Sequence, residues 1–296
     1  MGTSTPFGGG NNKNPLIPSW LNDPSGIPGT VPPAPGTPPV QQPSPANPTN
    51  QPGPANPTQP AAPAPPPPPL PRFTSARKAF NKGARSTDRD DRARSFGRAA
   101  SSYVSRSGGA RGASARARLD SASASALAEL LLRAGADGSD IRQELRRLNL
   151  DSLAQRSTGE IFDALIDYVC EPGGDLDQAF VRDAYAEALD LVPADMMARL
   201  ERPDAETIRF VLEHFITNTI MSRLLNAVAN GAITLPETAV SAVNLTDQFR
   251  EWIHGRVQDA MEATNGVFRE GEVVAQINRI YETAYSNLEH SGDDDE

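Results

Sequence analysis

From Ser121 onward apolar residues recur every three or four positions, a spacing that predicts helices almost throughout. Leu127, Leu130 and Leu131 mark one helix that stops near Gly135, and Ile141, Leu145 and Leu148 mark a second. Ser157 followed by Glu160 has the form of a capping box and opens a helix striped with Ile161, Leu165 and Tyr168, which Pro172-Gly173-Gly174 ends. Asp175 with Gln178 opens the next, carrying Leu176, Phe180, Ala184 and Leu189. Pro193 suits the first turn of a short helix with Met196, Met197 and Leu200. Pro203 begins the longest pattern, from Ile208 through Phe215 and Ile220 to Val228, ending at Gly231. Thr246 reads as the cap of a helix with Phe249, Trp252, Ile253, Val257 and Met261, and a last helix from near residue 271 holds Val274, Ile277, Tyr281, Ala284 and Leu288. No alternating run marks a strand. The expected fold is an all-α bundle of about eight helices over residues 119–290, with an acidic tail over 291–296.

Upstream the pattern disappears, and composition takes over. Residues 1–71 hold 24 of the 28 prolines and two charges, Lys13 and Asp23. Residues 25–71 repeat PANPT at 45–49 and 54–58, and this material is expected to be a disordered spacer. Stretched as polyproline II, it spans at most on the order of 145 Å. Residues 72–118 alternate Arg with Ser, Ala and Gly and carry 13 Lys or Arg against three Asp, a net charge of +10. Residues 119–296 carry −19, so the overall −9 describes only the last part. The basic segment suits weak, salt-sensitive contact with nucleic-acid phosphates, with Arg77, Lys78, Lys82, Arg85, Arg92 and Arg94 as candidate contacts. Phe73, Phe80, Phe96 and Tyr103 are interleaved as candidate stacking platforms. The competing reading lays this strip on the acidic body of the same chain. A third has Phe73, Arg77 and Phe80 beginning a short helix against that body.

Candidate chemistry is sparse. There is no GxxxxGK[ST] loop, GxSxG elbow, HExxH helix or CxxC pair. His214, His254 and His290 lie on helical patterns without cysteines at metal-ligand spacing, and Cys170 reads as a buried inert thiol. Asn244-Leu245-Thr246 matches a glycosylation sequon without a secretory context. A lone cysteine, with no apolar stretch long enough to span a bilayer, points to a cytoplasmic protein away from membranes. No catalytic residue, metal or cofactor is expected, and the chain reads as a binding or scaffolding protein.

The first 24 residues are less generic. MGTST, a Gly-rich turn and PLIPSWL precede the proline tract, the Arg/Ser segment and the acidic helical body. In this order the chain resembles the QatB family, a component of the four-gene Qat anti-phage defence systems of bacteria. The resemblance implies neighbours: an ATPase, a nuclease like TatD, and QatC, a homologue of 7-cyano-7-deazaguanine synthase. It also implies that the chain is a protein substrate of QatC. Such enzymes activate a deazaguanine carboxylate with ATP, and in the family's picture a peptide α-amine replaces ammonia, leaving an amide on the N-terminal glycine. Gly2 is the implied acceptor after removal of Met1. Thr3, Ser4 and Thr5, with the apolar cluster Leu16, Ile17, Trp20 and Leu21, are the implied recognition residues. The chemistry of Gly2 is compatible. An α-amine titrates near 8, so roughly a tenth to a quarter is neutral at neutral pH, whereas a lysine amine is neutral at about a tenth of a percent. The readings in competition are a modified adaptor, a nucleic-acid-binding accessory protein acting through residues 72–118, and an unmodified scaffold.

Overall fold

The computed structural model describes residues 72–173, 175–229, 239–264 and 266–292. These form twelve α-helices, eight of them at least eight residues long, and no strand is found among the described residues. The protein is all-α.

The described residues open with a helical hairpin, α1 (Thr74–Arg85) and α2 (Arg89–Ser107), followed by α3 (Gly109–Arg116) and α4 (Arg118–Gly135). Short helices α5 (Ile141–Arg147), α6 (Thr158–Ala164) and α7 (Ile166–Val169) lead to α8 (Leu176–Asp190) and α9 (Ala194–Arg199). Two 25-residue helices, α10 (Ala205–Ala229) and α11 (Ala239–Ala263), and then α12 (Val273–His290), complete the bundle.

Local chemistry sets the helix ends. Both capping boxes form: Ser157 and Glu160 exchange side-chain and backbone bonds ahead of α6, as do Asp175 and Gln178 ahead of α8. Asp88 caps α2 by accepting from the Asp91 amide at 2.8 Å, and Asp90 and Asp91 sit in the first turn, where the helix dipole favours acids. Asp204 accepts from the Thr207 amide at 2.8 Å at the entry to α10.

Helix α10 is the central column. None of residues 207–228 is exposed, as expected for a helix surrounded by others. It packs on α4, α8 and α11, while α12 packs on α2, α3, α4 and α11. Phe215, Ile216, Ile220 and Leu224 of α10 are sealed from solvent, as are Leu127 and Leu131 of α4 and Ile277, Tyr281 and Leu288 of α12.

The break expected at Leu119 is not a structural boundary, because it falls inside α4. The basic stretch from Arg72 on is helical and contributes to the same core. The spacing that Arg, Ser and Gly obscure is Ala76, Phe80 and Gly83 on α1 and Phe96, Ala99, Ala100, Tyr103 and Val104 on α2, all buried. Phe96 lies 4.8 Å from Phe249 and 5.9 Å from Phe80, centroid to centroid, tying the hairpin to α11. Three local expectations also change. Thr246 does not cap a helix: it lies within α11 and its hydroxyl donates to the Ala242 carbonyl. The helix opened by Ser157 breaks at Leu165 into α6 and α7. Tyr168, Leu176 and Val274 are exposed rather than on core stripes.

Because burying Phe80 and Phe96 is worth about 1.5–3 kcal/mol each, the hairpin is integral to the bundle. Limited proteolysis is expected to leave a resistant fragment that begins near Thr74, not near Leu119. A chain starting at Leu119 should lose the cooperative urea transition of one starting at Arg72. Mass spectrometry of the fragment and circular dichroism of the two chains check this.

Candidate functional site

The residues with an implied role in modification and recognition, Gly2, Thr3, Ser4, Thr5, Leu16, Ile17, Trp20 and Leu21, lie outside the described residues. The six candidate phosphate contacts are described, and they divide. Lys78, Lys82 and Arg85 are exposed on one stripe of α1 at i, i+4 and i+7. Arg77 and Arg92 turn inward: Arg77 Nε donates to the Val228 carbonyl at 3.0 Å, and Arg92 donates to the Gln248 side chain and the Ser86 carbonyl. Arg94 is exposed and pairs with Asp91 one turn earlier. The interleaved aromatics are not available to bases. Phe80, Phe96 and Tyr103 are buried, and Phe73 packs on Tyr103 with ring centroids 5.3 Å apart. The aromatics interleaved with the arginines lie on the core side of the helices instead.

Beneath the hairpin lies a polar cluster that the sequence pattern does not announce. Asp120 of α4 receives Arg223 of α10 in a two-pronged ion pair, with Nε to Oδ2 at 2.5 Å and Nη2 to Oδ1 at 2.7 Å. Their side chains are only 1% and 8% exposed. Burial raises the Asp120 carboxyl above its ordinary value, with the charge of Asp177 adding to the rise, and the two bonds from Arg223 oppose this without cancelling it. On the other partner, burial works against the guanidinium, but Asp120 more than offsets it and holds Arg223 firmly charged. Tyr281 donates to or accepts from Thr219 at 2.8 Å beside them, and the Tyr285 hydroxyl is buried without a hydrogen-bond partner among the described residues. Arg223 Nη1 also reaches Asp177 at 3.4 Å, on the floor of an open cavity of about 440 Å³ that Phe73, Tyr103, Arg116 and Asn226 help to line. The only sequence signal for the pair is a charge on the apolar face of each helix: Arg223 between Ile220 and Leu224, and Asp120 one and two turns ahead of Ala124 and Leu127.

A second cluster joins α10 to α11. The rings of His214 and His254 stack in parallel, 4.6 Å apart, with Phe210 against His214. Glu213 accepts from Arg209 at 2.6 Å and lies 3.8 Å from His254 Nε2. Burial, reinforced by His254 and Arg250, pushes His214 down to about 4, and burial lowers His254 as well. Both rings are therefore neutral at neutral pH. Forty residues apart, they gave no sign in the sequence of being neighbours.

Neither cluster assembles a nucleophile with a base. Cys170 is buried, and burial pushes its thiol up to about 11. No group of three His, Cys, Asp or Glu suited to a metal ion occurs among the described residues. No helix there is long and apolar enough to cross a membrane.

A family model described as "Qat anti-phage system associated protein QatB" matches residues 108–288. The chain belongs to the QatB family. It is thereby a component of an anti-phage defence system, and other Qat components are its partners. Comparison with curated proteins and with solved structures returns no match. The QatB match opens at Gly108, whose left-handed φ of 100° closes α2. It therefore takes in Asp120, Arg223, Tyr281, Tyr285 and the histidine pair, while Lys78, Lys82 and Arg85 precede it.

Two outcomes follow for this QatB-family bundle. Asp120→Ala strips a buried guanidinium of its two-pronged partner, leaving only the half-exposed Asp177 at 3.4 Å, and should cost about 3–5 kcal/mol, whereas Asp120→Leu combined with Arg223→Met should cost much less; urea titration of the three proteins compares them. Because the folded state holds His214 and His254 below their unfolded value near 6.5, the stability they confer is complete above that pH and falls away as pH drops toward about 4. The urea midpoint should fall between pH 7 and 5, and His214→Gln should flatten that fall.

Proposed function

We propose that this chain is the adaptor and protein substrate of its defence system, and that the Gly2 α-amine accepts a deazaguanine acyl group from a QatC-like partner. The observation that carries the reading is the family match over residues 108–288, joined to the N-terminal sequence MGTSTPFGGG ahead of a folded body. In the proposed step the partner's deazaguanine carboxylate attacks the α-phosphorus of ATP, so that an acyl–AMP bond forms and pyrophosphate leaves. The neutral Gly2 amine attacks the acyl carbon, a C–N amide bond forms, the C–O bond to AMP breaks, and the amine's surplus proton passes to solvent.

Several features of the chain support this role. Glycine presents no side chain to a narrow pocket, and Thr3, Ser4 and Thr5 are small. Leu16, Ile17, Trp20 and Leu21 supply an apolar anchor for the partner a short distance behind the amine. The first helix of the body starts at Thr74, so some seventy residues separate the acceptor from it. Docking of the body on the complex then raises the effective concentration of the amine at the partner's site. The ATPase and the TatD-like nuclease complete the proposed assembly, and the chain needs no cofactor of its own.

Co-expressed with the QatC-like partner, the chain should lose Met1 and gain one deazaguanine adduct on Gly2, read by intact mass and by fragmentation of the N-terminal peptide. Gly2→Pro, or a tag ahead of Gly2, should abolish both the adduct and phage protection, while a tag after Glu296 should preserve them. An unmodified Gly2 in a protective system overturns the proposal and leaves the unmodified scaffold.

A further inference from the structure

An apolar groove runs between α4 and the turn that joins α11 to α12. The turn passes through two left-handed glycines, Gly266 at φ 56° and Gly271 at φ 82°. Gln276 of α12 braces it: its Nε2 donates to the Val267 carbonyl at 2.9 Å, and its Oε1 accepts from the Arg269 amide at 3.2 Å. Across the groove, Gly135 brings the end of α4 so close to α10 that an added Cβ would lie 2.2 Å from the Pro203 carbonyl oxygen. Two cavities share Leu132 as a wall. One, of about 210 Å³, is lined by Pro203, Ile208, Val267 and Phe268; the other, of about 260 Å³, by Glu129, Arg133, Glu270 and Val273. Together they follow α4 from Glu129 to Gly135, about 9 Å. Val267 is 58% exposed at the lip even though the brace holds its backbone in place.

We propose that this groove docks an amphipathic helix of another Qat component, one that sets two aliphatic side chains a turn apart and flanks them with lysine or arginine. Side chains at i and i+4 of a helix stand about 6 Å apart, which suits two adjoining cavities within that length. Charge complementarity sets the flanks. The charged side chains that line the groove are Glu129, Asp204 and Glu270 against Arg133 alone, and Arg133 already lies 3.4 Å from Glu129 and 3.9 Å from Glu144. Arg269 and Glu272 of the same turn offset one another. A second copy of the chain is a poor occupant. Its hairpin carries the cations, but no large hydrophobic residue is exposed there among the described residues; those that are exposed lie on the acidic body. The groove falls within residues 108–288, the part that matches the QatB family. This inference rests on the adaptor reading and is independent of the Gly2 adduct.

The test uses the full chain with a tag after Glu296, co-expressed in turn with the ATPase, the QatC-like protein and the TatD-like nuclease. One of them should co-purify, and Val267→Asp should weaken that association at least about ten-fold by biolayer interferometry. Val243→Asp is the control. It puts the same charge on an equally exposed valine, 57% against 58%, about 30 Å back along α11 from Ala263, and should leave the association unchanged. Glu270→Lys should weaken it about two- to five-fold at low salt and by less at about 0.3 M salt. All three positions are exposed, so the urea midpoints should match that of the unaltered chain. An association that Val267→Asp leaves intact, or that Val267→Asp and Val243→Asp weaken alike, overturns the proposal. So does a dimer of the chain alone, seen by light scattering, that Val267→Asp dissolves, because it puts a second copy in the groove. If the unaltered chain associates with none of the three, the adaptor reading falls and this inference with it. Intact mass reads the Gly2 adduct separately, so its absence with the association retained counts against the substrate reading alone.

Discussion

The packing of this bundle depends on one buried ion pair. Asp120 and Arg223 bring opposite charges into the buried interior, and removing either one leaves the other without its two-pronged partner. The pair therefore fixes the register of α4 against α10, because a one-residue slip of either helix separates guanidinium from carboxylate. Around it stand Tyr103 of α2, Thr219 of α10, and Tyr281 and Tyr285 of α12. Four helices thus converge on a single polar point, whereas the leucine and isoleucine contacts elsewhere tolerate shifts at lower cost. Replacing the pair with apolar residues of similar size retains much of the stability, and what it removes is the penalty on misaligned packings.

The charge imbalance between the basic hairpin and the acidic body looks like the force that joins them, but the geometry assigns it a smaller part. Among the described residues, the pair of Arg89 on the hairpin with Glu251, and that of Arg111 on α3 with Glu282, are widely exposed, and pairs of that kind contribute about 0–1 kcal/mol. The junction is made instead by Phe80, Phe96 and Phe249, which pack ring against ring, and by the inward bonds of Arg77 and Arg92. Lys78, Lys82, Arg85, Arg94 and Arg98 are exposed on the outer faces of the hairpin.

Much of the helical order is legible from spacing and caps. Ser157 with Glu160 and Asp175 with Gln178 act where the pattern places them, and the apolar run from Ile208 to Val228 is a single central helix. The hairpin was harder to read because its buried stripe is built largely of alanine, glycine and serine, so the intervening arginines dominated the composition. Helix α11 extends seven residues ahead of Thr246 because a polar residue that suits a cap is also tolerated inside a helix when its hydroxyl bonds the carbonyl four residues back. The Asp120–Arg223 and His214–His254 pairs stayed hidden for a different reason. Each joins residues far apart in the chain, and a one-dimensional pattern holds no information on which lone charge or ring will meet which.

The attachment of the N-terminal region to α1 has a mechanical consequence. Arg72 grips the Arg106 carbonyl with two donors, at 2.7 and 3.1 Å, and Phe73 packs at a tilt against Tyr103, so the start of α1 is clamped to the far end of α2. Tension along the preceding chain is transmitted first to this clamp and then to α1 as a peeling load, one turn at a time, toward Phe80. A load entering the body at Arg72 therefore meets the contacts of Arg72 and Phe73 before it reaches the core packing around Phe80.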